Sequence, residues 1–183
     1  MPRSRTSQGE NDREHKFDSL FEEHYLAVYR YCLRRLGPAD SEDAAAEVFA
    51  VAWRRLDRVP PSSRAWLLTV AYRVVGNHYR GRRRRARLSD RLAADRPVPV
   101  EPSAPDLETR LLAQALDSLR PADRELLRLS SWDGLSNSEI AAVMGIKQNA
   151  VDQRLFRARS RLRERFDQFS QEPLAVKARN AST

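Results

Sequence analysis

Residues 134–166 of the chain read GLSNSEIAAVMGIKQNAVDQRLFRARSRLRERF. Ser136 followed by Glu139 is the pattern of a capping box at the start of a helix. Gly145 then interrupts the helical periodicity and supplies the backbone freedom that a tight turn between helices needs. This order of helix, turn and helix is typical of a helix-turn-helix, whose second helix enters the major groove of DNA.

The second helix of this motif separates apolar from polar residues. Its inward stripe, spaced i, i+4, i+7 and i+11, consists of Val151, Leu155, Ala158 and Leu162. Gln153, Phe156 and Ser160 fall opposite that stripe and are expected to face outward. A solvated surface helix would show a similar pattern, so further features of the chain have to favour DNA binding.

The composition favours a polyanionic partner. The chain has 183 residues, enough for one domain or two small ones, and a formal charge of +8. Nearly all of its 33 basic residues are Arg, which binds phosphate and guanine through two parallel hydrogen bonds. An Arg-rich composition is also what a GC-rich genome produces, so the clustering of the arginines carries more information than their number.

Several classes of site are not expected. The single cysteine, Cys32, precludes an internal disulfide and a Cys-based zinc site, and its place on an apolar helix face predicts burial. The three histidines lack metal-ligand spacing, and we find no nucleophile with a nearby base and no phosphate-binding Gly-rich loop. We therefore expect no enzyme activity, no metal and no cofactor.

The hydropathy of the chain predicts a cytoplasmic protein. No apolar run approaches the ~20 residues that a membrane span needs, so we expect no membrane insertion. The polar N-terminus MPRSRTSQGENDREHK lacks the apolar core of a secretory signal.

Helical periodicity divides the chain into two units, and no alternation of period two predicts a sheet. Asp40 or Ser41 is expected to cap the second helix, which Pro60-Pro61 ends, and the segment RPVPVEPSAPD predicts an extended linker. We thus predict an all-α fold of two small helical domains. The expected division is a disordered arm at 1–16, a helical domain at 17–87, a flexible Pro-rich linker at 88–106, a helix-turn-helix domain at 107–169 and a loose tail at 170–183.

Three segments, in this order, resemble the extracytoplasmic-function sigma factors, bacterial initiation subunits of RNA polymerase. SEDAAAEVFAVAWR (41–54) resembles their segment for the polymerase clamp helices, and RAWLLTVAYRVVGNHYRGRRRR (64–85) their segment for the minus-ten promoter element. LRPADRELLRLSSWDGLSNSEIAAVMGIKQNAVDQRLFRARSRL (119–162) resembles their reader of the minus-thirty-five element. The resemblance implies a transcription initiation factor that binds core RNA polymerase, directs it to promoters and helps open the minus-ten region.

The resemblance implies that Asp43 and Glu47 contact the polymerase. These carboxylates lie four residues apart, on the same side of a helix. Without the resemblance, a solvated acidic pair would be the simpler interpretation. The family usually has Gln where Ala46 stands, so part of that hydrogen bonding would be missing. Phe49 and Trp53 are expected in the domain core.

The third helix combines aromatic residues with an Arg tail, as single-strand binding requires. The resemblance implies that Asn77, His78 and Tyr79 read an extruded base of the minus-ten element, and that Trp66 packs in the core. The full expected set of minus-ten residues is Arg73, Asn77, His78, Tyr79, Arg80, Arg82, Arg83 and Arg84. The family commonly has Asn at the position of Arg73 and Asp at that of Asn77, so a different minus-ten preference is expected. The arginines should supply affinity through phosphates rather than sequence choice.

In the helix-turn-helix, the resemblance places base-edge contacts at Asp152, Gln153 and Phe156, and phosphate contacts at Arg154 and Arg157. Gln can bond to adenine, Asp can accept from the cytosine amino group, and Phe can contact the thymine methyl. The family commonly has a basic or small polar residue where Asp152 stands. We therefore expect an unusual minus-thirty-five preference.

Two other functions fit part of the pattern. A helix-turn-helix regulator with an N-terminal sensor or dimerisation module would bind duplex DNA without polymerase, but it leaves the basic 66–87 segment without a role. A recombinase would need a larger catalytic domain than residues 17–87 provide. The resemblance also implies an anti-sigma factor as a partner, beside core RNA polymerase and promoter DNA.

Overall fold

The protein folds into α-helices grouped in two units. The structure is a computed structural model that describes residues 4–89 and 106–180, with the side chains of residues 9–85 and 106–171. Seven α-helices and one short 3-10 helix, with no strand, form this described part. Contacts divide the chain into Met1–Val100 and Glu101–Thr183, in agreement with the predicted all-α, two-domain fold.

The first unit contains three long helices. They are α1 (Ser4–Leu36), α2 (Pro38–Arg54) and α3 (Ser63–Ser89), with the 3-10 helix Leu56–Arg58 between α2 and α3. Gly37 alone connects α1 to α2, at a φ of +79° that favours glycine. Asp40 and Ser41 were expected to cap α2, but Gly37 occupies the cap position. The reason is Pro38, whose fixed φ and missing N–H suit the first helical residue.

The core of the first unit lies where the three helices meet. Its fully buried large side chains are Val28, Tyr31, Leu36, Val48, Leu56, Leu67 and Leu68. Phe49 and Cys32 are buried as expected. The prediction for Trp53 was wrong, since 38% of this residue is exposed. Trp53 lies at the end of the outer face of α2 and packs edge-on against Phe17 at 5.1 Å, so one edge of the indole stays open to solvent.

The ends of the chain are more helical than the sequence predicted. Residues 4–16, expected to be disordered, continue α1, and residues 170–180, expected to be loose, continue α7 (Gln148–Asn180). For residues 4–16, propagating an existing helix gains one hydrogen bond per residue fixed, which needs no apolar stripe. Arg13 also anchors the start of α1, because its Nη2 donates to the Trp53 carbonyl at 2.8 Å. The predicted linker at 88–106 falls mostly on residues 90–105, outside the described residues.

The second unit packs three shorter helices against α7. They are α4 (Leu107–Ser118), α5 (Pro121–Ser131) and α6 (Asn137–Met144). Ser136 and Glu139 form the predicted capping box, with both reciprocal hydrogen bonds present. Gly145 ends α6 in the left-handed conformation at a φ of +67°. The core lies between the helices and contains Ala115, Leu116, Leu126, Leu129, Ile140, Val143, Val151, Leu155 and Ala158.

Candidate nucleic-acid and polymerase interfaces

The start of α7 presents one side to solvent and buries the other. Val151 and Leu155 are at most 1% exposed, whereas the residue after Leu155, Phe156, is 76% exposed. Asp152, Gln153, Phe156 and Arg157 line one open surface. The outward orientation predicted for Gln153, Phe156 and Ser160 is confirmed, since all three are exposed.

Asp152 is held by a residue of the preceding helix. Asn137 Nδ2 donates to Asp152 Oδ1 at 2.5 Å, across the turn of the helix-turn-helix. Asn137 is the first residue of α6 and is half-buried, while Asp152 is exposed. The carboxylate that the sequence assigned to base recognition therefore has a defined direction before any DNA is bound.

The arginines of α7 differ in their contacts. Arg161 Nη1 bonds to Asp123 Oδ2 of α5 at 2.8 Å, and Arg159 Nη2 donates to Ser130 Oγ at 3.3 Å. These two side chains tie α7 to α5. Arg154 and Arg157 are exposed, and Arg157 lines the open surface together with Asp152, Gln153 and Phe156. Among its described contacts, Arg157 Nε donates only to the neighbouring Gln153 carbonyl, at 3.2 Å. Both arginines expected at phosphates are therefore accessible.

In the first unit, α2 presents an outer face of mixed character. Asp43 and Glu47 are exposed and lie one turn apart. Ala46 and Ala50 are exposed between them and Trp53, so the middle of this face carries only methyl groups. Such a surface lets the backbone of another helix approach closely, while the two carboxylates offer acceptors beside it.

The three expected base readers of α3 each bond to another group. His78 Nε2 lies 3.1 Å from Glu47 Oε1, so a residue expected at the minus-ten element contacts a residue expected at the polymerase. Asn77 Oδ1 accepts from Arg80 Nη2 at 2.5 Å, and Tyr79 Oη donates to the Arg35 carbonyl at 2.5 Å. Arg73 is exposed one turn earlier. The side chains meet in one region of α3, but they are engaged within the protein.

The Arg run at the end of α3 is not uniform. Arg82 Nε donates to Asp40 Oδ2 at 2.9 Å, and Arg82 Nη2 donates to the Leu36 carbonyl at 2.9 Å. Its side chain is only 28% exposed. Arg83, Arg84 and Arg85 are exposed. Arg82 therefore fastens α3 to the junction of α1 and α2, and the following arginines carry the accessible charge.

Two stretches of the chain match described families, and they coincide with the two structural units. Residues 20–85 match Sigma-70 region 2, and residues 109–162 match Sigma-70, region 4. The chain belongs to the extracytoplasmic-function group of the sigma-70 family. This sigma factor is a transcription initiation factor, as the resemblance implied.

Relatives of this sigma factor support the group assignment. It is 30% identical over 171 residues to the RNA polymerase sigma factor CnrH of Cupriavidus metallidurans, covering 85% of this chain and 89% of CnrH. It is 32% identical to the ECF RNA polymerase sigma factor SigL of Mycobacterium tuberculosis, covering 79% and 85%. The solved structure of CnrH in complex with the cytosolic domain of CnrY aligns with a TM-score of 0.60 at 29% identity, over 82% of this chain and 87% of that one.

Some contacts of this sigma factor were not predicted from its sequence. Arg82 differs from its neighbours only because it meets Asp40, which lies 42 positions earlier. An aromatic row along α1 was also missed: Phe21 and Tyr25 stack at 4.9 Å above Phe49, and Tyr25 stacks on Tyr29 at 6.0 Å. Their spacing of four residues was the available signal, but it also fits an ordinary core stripe.

Other features bear on the expected absences. Within residues 9–85 and 106–171, no group of three or more His, Cys, Asp or Glu side chains could hold a metal ion. A membrane-spanning helix is likewise not found in the described part of the chain.

Burial raises the pKa of the Cys32 thiol to about 11, although the nearby Arg35 lowers it. Cys32 is therefore a neutral packing residue at ordinary pH.

Proposed function

We propose that this sigma factor binds core RNA polymerase through α2, reads the minus-thirty-five element with α7 and engages the minus-ten element with α3. One observation carries the proposal. Asp152, Gln153 and Phe156 project to solvent from the start of the second helix of a helix-turn-helix, while the opposite face of that helix is buried. This is the arrangement with which such motifs place side chains against base edges in the major groove.

In α3, exposed arginines bind DNA, whereas Arg82 positions the surface that carries them. Arg83 and Arg84 are exposed and contact phosphates, together with Arg73 and Arg80 on the same helix. Arg82 supports this surface by its bond to Asp40. Asn77, His78 and Tyr79 exchange their present partners for an extruded base when the promoter opens. The internal bonds satisfy these polar groups until DNA arrives, so breaking them costs free energy that the contacts to the base must offset.

For the polymerase, the proposal uses the outer face of α2. Ala46 and Ala50 allow a partner helix to lie close, and Asp43 and Glu47 bond to basic side chains of that helix. Trp53, 38% exposed at the end of the same face, adds apolar area that a partner would bury. Basic helices of the polymerase clamp have the complementary chemistry.

The decisive experiment is run-off transcription with purified bacterial core polymerase on a genomic library. The full chain is expected to bind core polymerase and direct starts at a defined set of promoters. Asp152→Arg should lose that promoter preference while still binding core polymerase, because α2 is untouched. If the chain binds duplex promoter DNA without polymerase and directs no starts, it acts as a conventional regulator instead. Family membership does not favour that alternative.

We also propose a regulatory partner and a cellular location for this sigma factor. The chain has no catalytic activity of its own, since the polymerase performs RNA synthesis, and it acts in the cytoplasm. An anti-sigma factor holds it inactive by covering its polymerase-binding and DNA-binding surfaces. The complex of CnrH with a domain of CnrY is the related precedent. Affinity purification with the full chain as bait should yield, beside core polymerase, a protein whose addition abolishes run-off transcription. The capture of no protein with that effect would count against an anti-sigma factor.

A further inference from the structure

Asn137 and Asp152 form a bridge at the edge of the open surface that Asp152, Gln153, Phe156 and Arg157 line. The two residues lie 15 positions apart, on α6 and α7, and Asn137 Nδ2 donates to Asp152 Oδ1 at 2.5 Å. The bridge crosses the turn that contains Gly145, so it links the supporting helix to the helix assigned to base recognition.

The donor is mounted on a rigid support. Asn137 lies within the capping box, directly after the N-cap Ser136, whose backbone N–H donates to Glu139 Oε2 at 2.8 Å. The acceptor is mounted equally firmly, because Val151 next to Asp152 is fully buried. A hydrogen bond between two fixed backbones restricts the side-chain torsions of Asp152, which would otherwise rotate freely at an exposed site.

This bond leaves one carboxylate oxygen for DNA. An ionised carboxylate only accepts hydrogen bonds, so Oδ2 requires a donor on a base edge. In the major groove, the donors are the amino groups of cytosine and adenine. Adenine presents the N7 acceptor beside its amino group, and that acceptor repels a carboxylate. Cytosine is therefore the base that a single directed carboxylate oxygen selects best.

We propose that Asn137 is a positioning residue for promoter specificity: it fixes the Asp152 carboxylate so that Oδ2 accepts from a cytosine amino group in the minus-thirty-five element. This inference rests on the proposed function, since it requires Asp152 to face a base. Asn suits the role because it is an uncharged donor. The bridge leaves the negative charge of Asp152 in place, and that charge continues to repel sequences with acceptors at the same position.

The test uses the full chain assembled with core polymerase and a duplex library randomised across the minus-thirty-five element. Asn137→Ala is expected to reduce the preference for one base pair roughly three- to tenfold, at the same position as Asp152→Ala. The double variant should lose no more preference than Asp152→Ala alone. Asn137→Asp, which keeps the shape but removes the donor and suits a helix N-terminus, should give the same loss. Asn149→Ala is the matched control, an exposed Asn in the first turn of α7.

The possible failures are distinguishable. If Asp152→Ala changes the preference and Asn137→Ala does not, the positioning role is wrong and the base contact stands. Uniformly weaker binding to all sequences with Asn137→Ala also overturns it, because a purely structural bridge predicts that result. If Asp152→Ala leaves the preference unchanged, the proposed base contact fails and the inference fails with it.

Discussion

His78 Nε2 lies 3.1 Å from Glu47 Oε1, so α3 and the outer face of α2 share a hydrogen bond. The imidazole is largely enclosed, with 17% of its side chain exposed, whereas the carboxylate is 55% exposed. Glu47 is therefore accessible to a partner while its direction is fixed by His78. In the proposed function, this pair places polymerase binding and minus-ten recognition in direct contact.

Loss of the Glu47 carboxylate should weaken polymerase binding. Glu47→Ala is expected to raise the dissociation constant for core polymerase roughly five- to thirtyfold, equivalent to about 1–2 kcal/mol. His78→Ala should raise the dissociation constant less than Glu47→Ala does. It should do so only when Glu47 is present, because His78 acts by fixing the direction of that carboxylate. Fluorescence anisotropy with labelled full-length chain measures all three variants, including the double.

The charge-matched control for Glu47 is Glu22→Ala on α1, an exposed acidic residue away from the α2 face. It should leave the affinity for core polymerase unchanged. An equal loss with Glu22→Ala would mean that net charge, rather than the α2 face, governs binding.

Two arginines separated by one residue should behave differently. Arg82→Ala removes a half-buried ion pair and the bond to the Leu36 carbonyl, so it should lower the free energy of unfolding by about 1–2 kcal/mol. Arg84→Ala should leave stability unchanged but reduce the salt dependence of binding to single-stranded minus-ten DNA by about 0.7–1 in log–log slope. Thermal unfolding and binding titrations at several salt concentrations check both. Identical behaviour of the two variants would contradict the division of the Arg run.

Phe156 and Leu155 are neighbours in the sequence but differ in exposure. Phe156 is 76% exposed, so Phe156→Ala should change stability by less than about 0.5 kcal/mol and weaken the preference for a thymine in the minus-thirty-five element. Leu155 is 1% exposed, and Leu155→Ala should cost about 2–5 kcal/mol. Chemical unfolding and library binding separate these effects. Strong destabilisation by Phe156→Ala would show that the ring packs against the protein.

The buried Cys32 predicts an alkaline change in stability. Because burial raises its pKa to about 11 from 9.0, the unfolded chain ionises first as pH rises. The contribution of this thiol to stability is complete below pH 9 and is lost as pH rises towards 11. The free energy of unfolding should therefore fall more steeply over this range in the wild type than in Cys32→Ala.

Native Cys32 should also react slowly with a thiol reagent at pH 8 and rapidly in denaturant. A fast reaction of the native protein would contradict the burial of this residue.

Much of the fold could be predicted because it depends on local patterns. Apolar residues at helical spacing place Val151 and Leu155 inside, and the capping box at Ser136 and the turn at Gly145 follow from residue type alone. The outward face of α7 is the complement of its buried stripe, so its composition was also predictable. Two of the predictions that the structure contradicts had an ambiguous signal: Trp53 suits a core or an exposed face, and residues 4–16 lack the stripe that would have indicated a helix.

By itself, the sequence determined that the chain is a two-domain helical protein, which apolar stripes its helices bury, and which polar and basic side chains lie outside those stripes. Only the tertiary structure decided how those side chains are used within the protein. Arg82 and Arg84 are chemically identical, and only the position of Asp40 in space makes one structural. Asn137 likewise reaches Asp152 only after the turn folds. Helical periodicity is a property of neighbouring residues, whereas a hydrogen bond between distant residues depends on how whole helices pack.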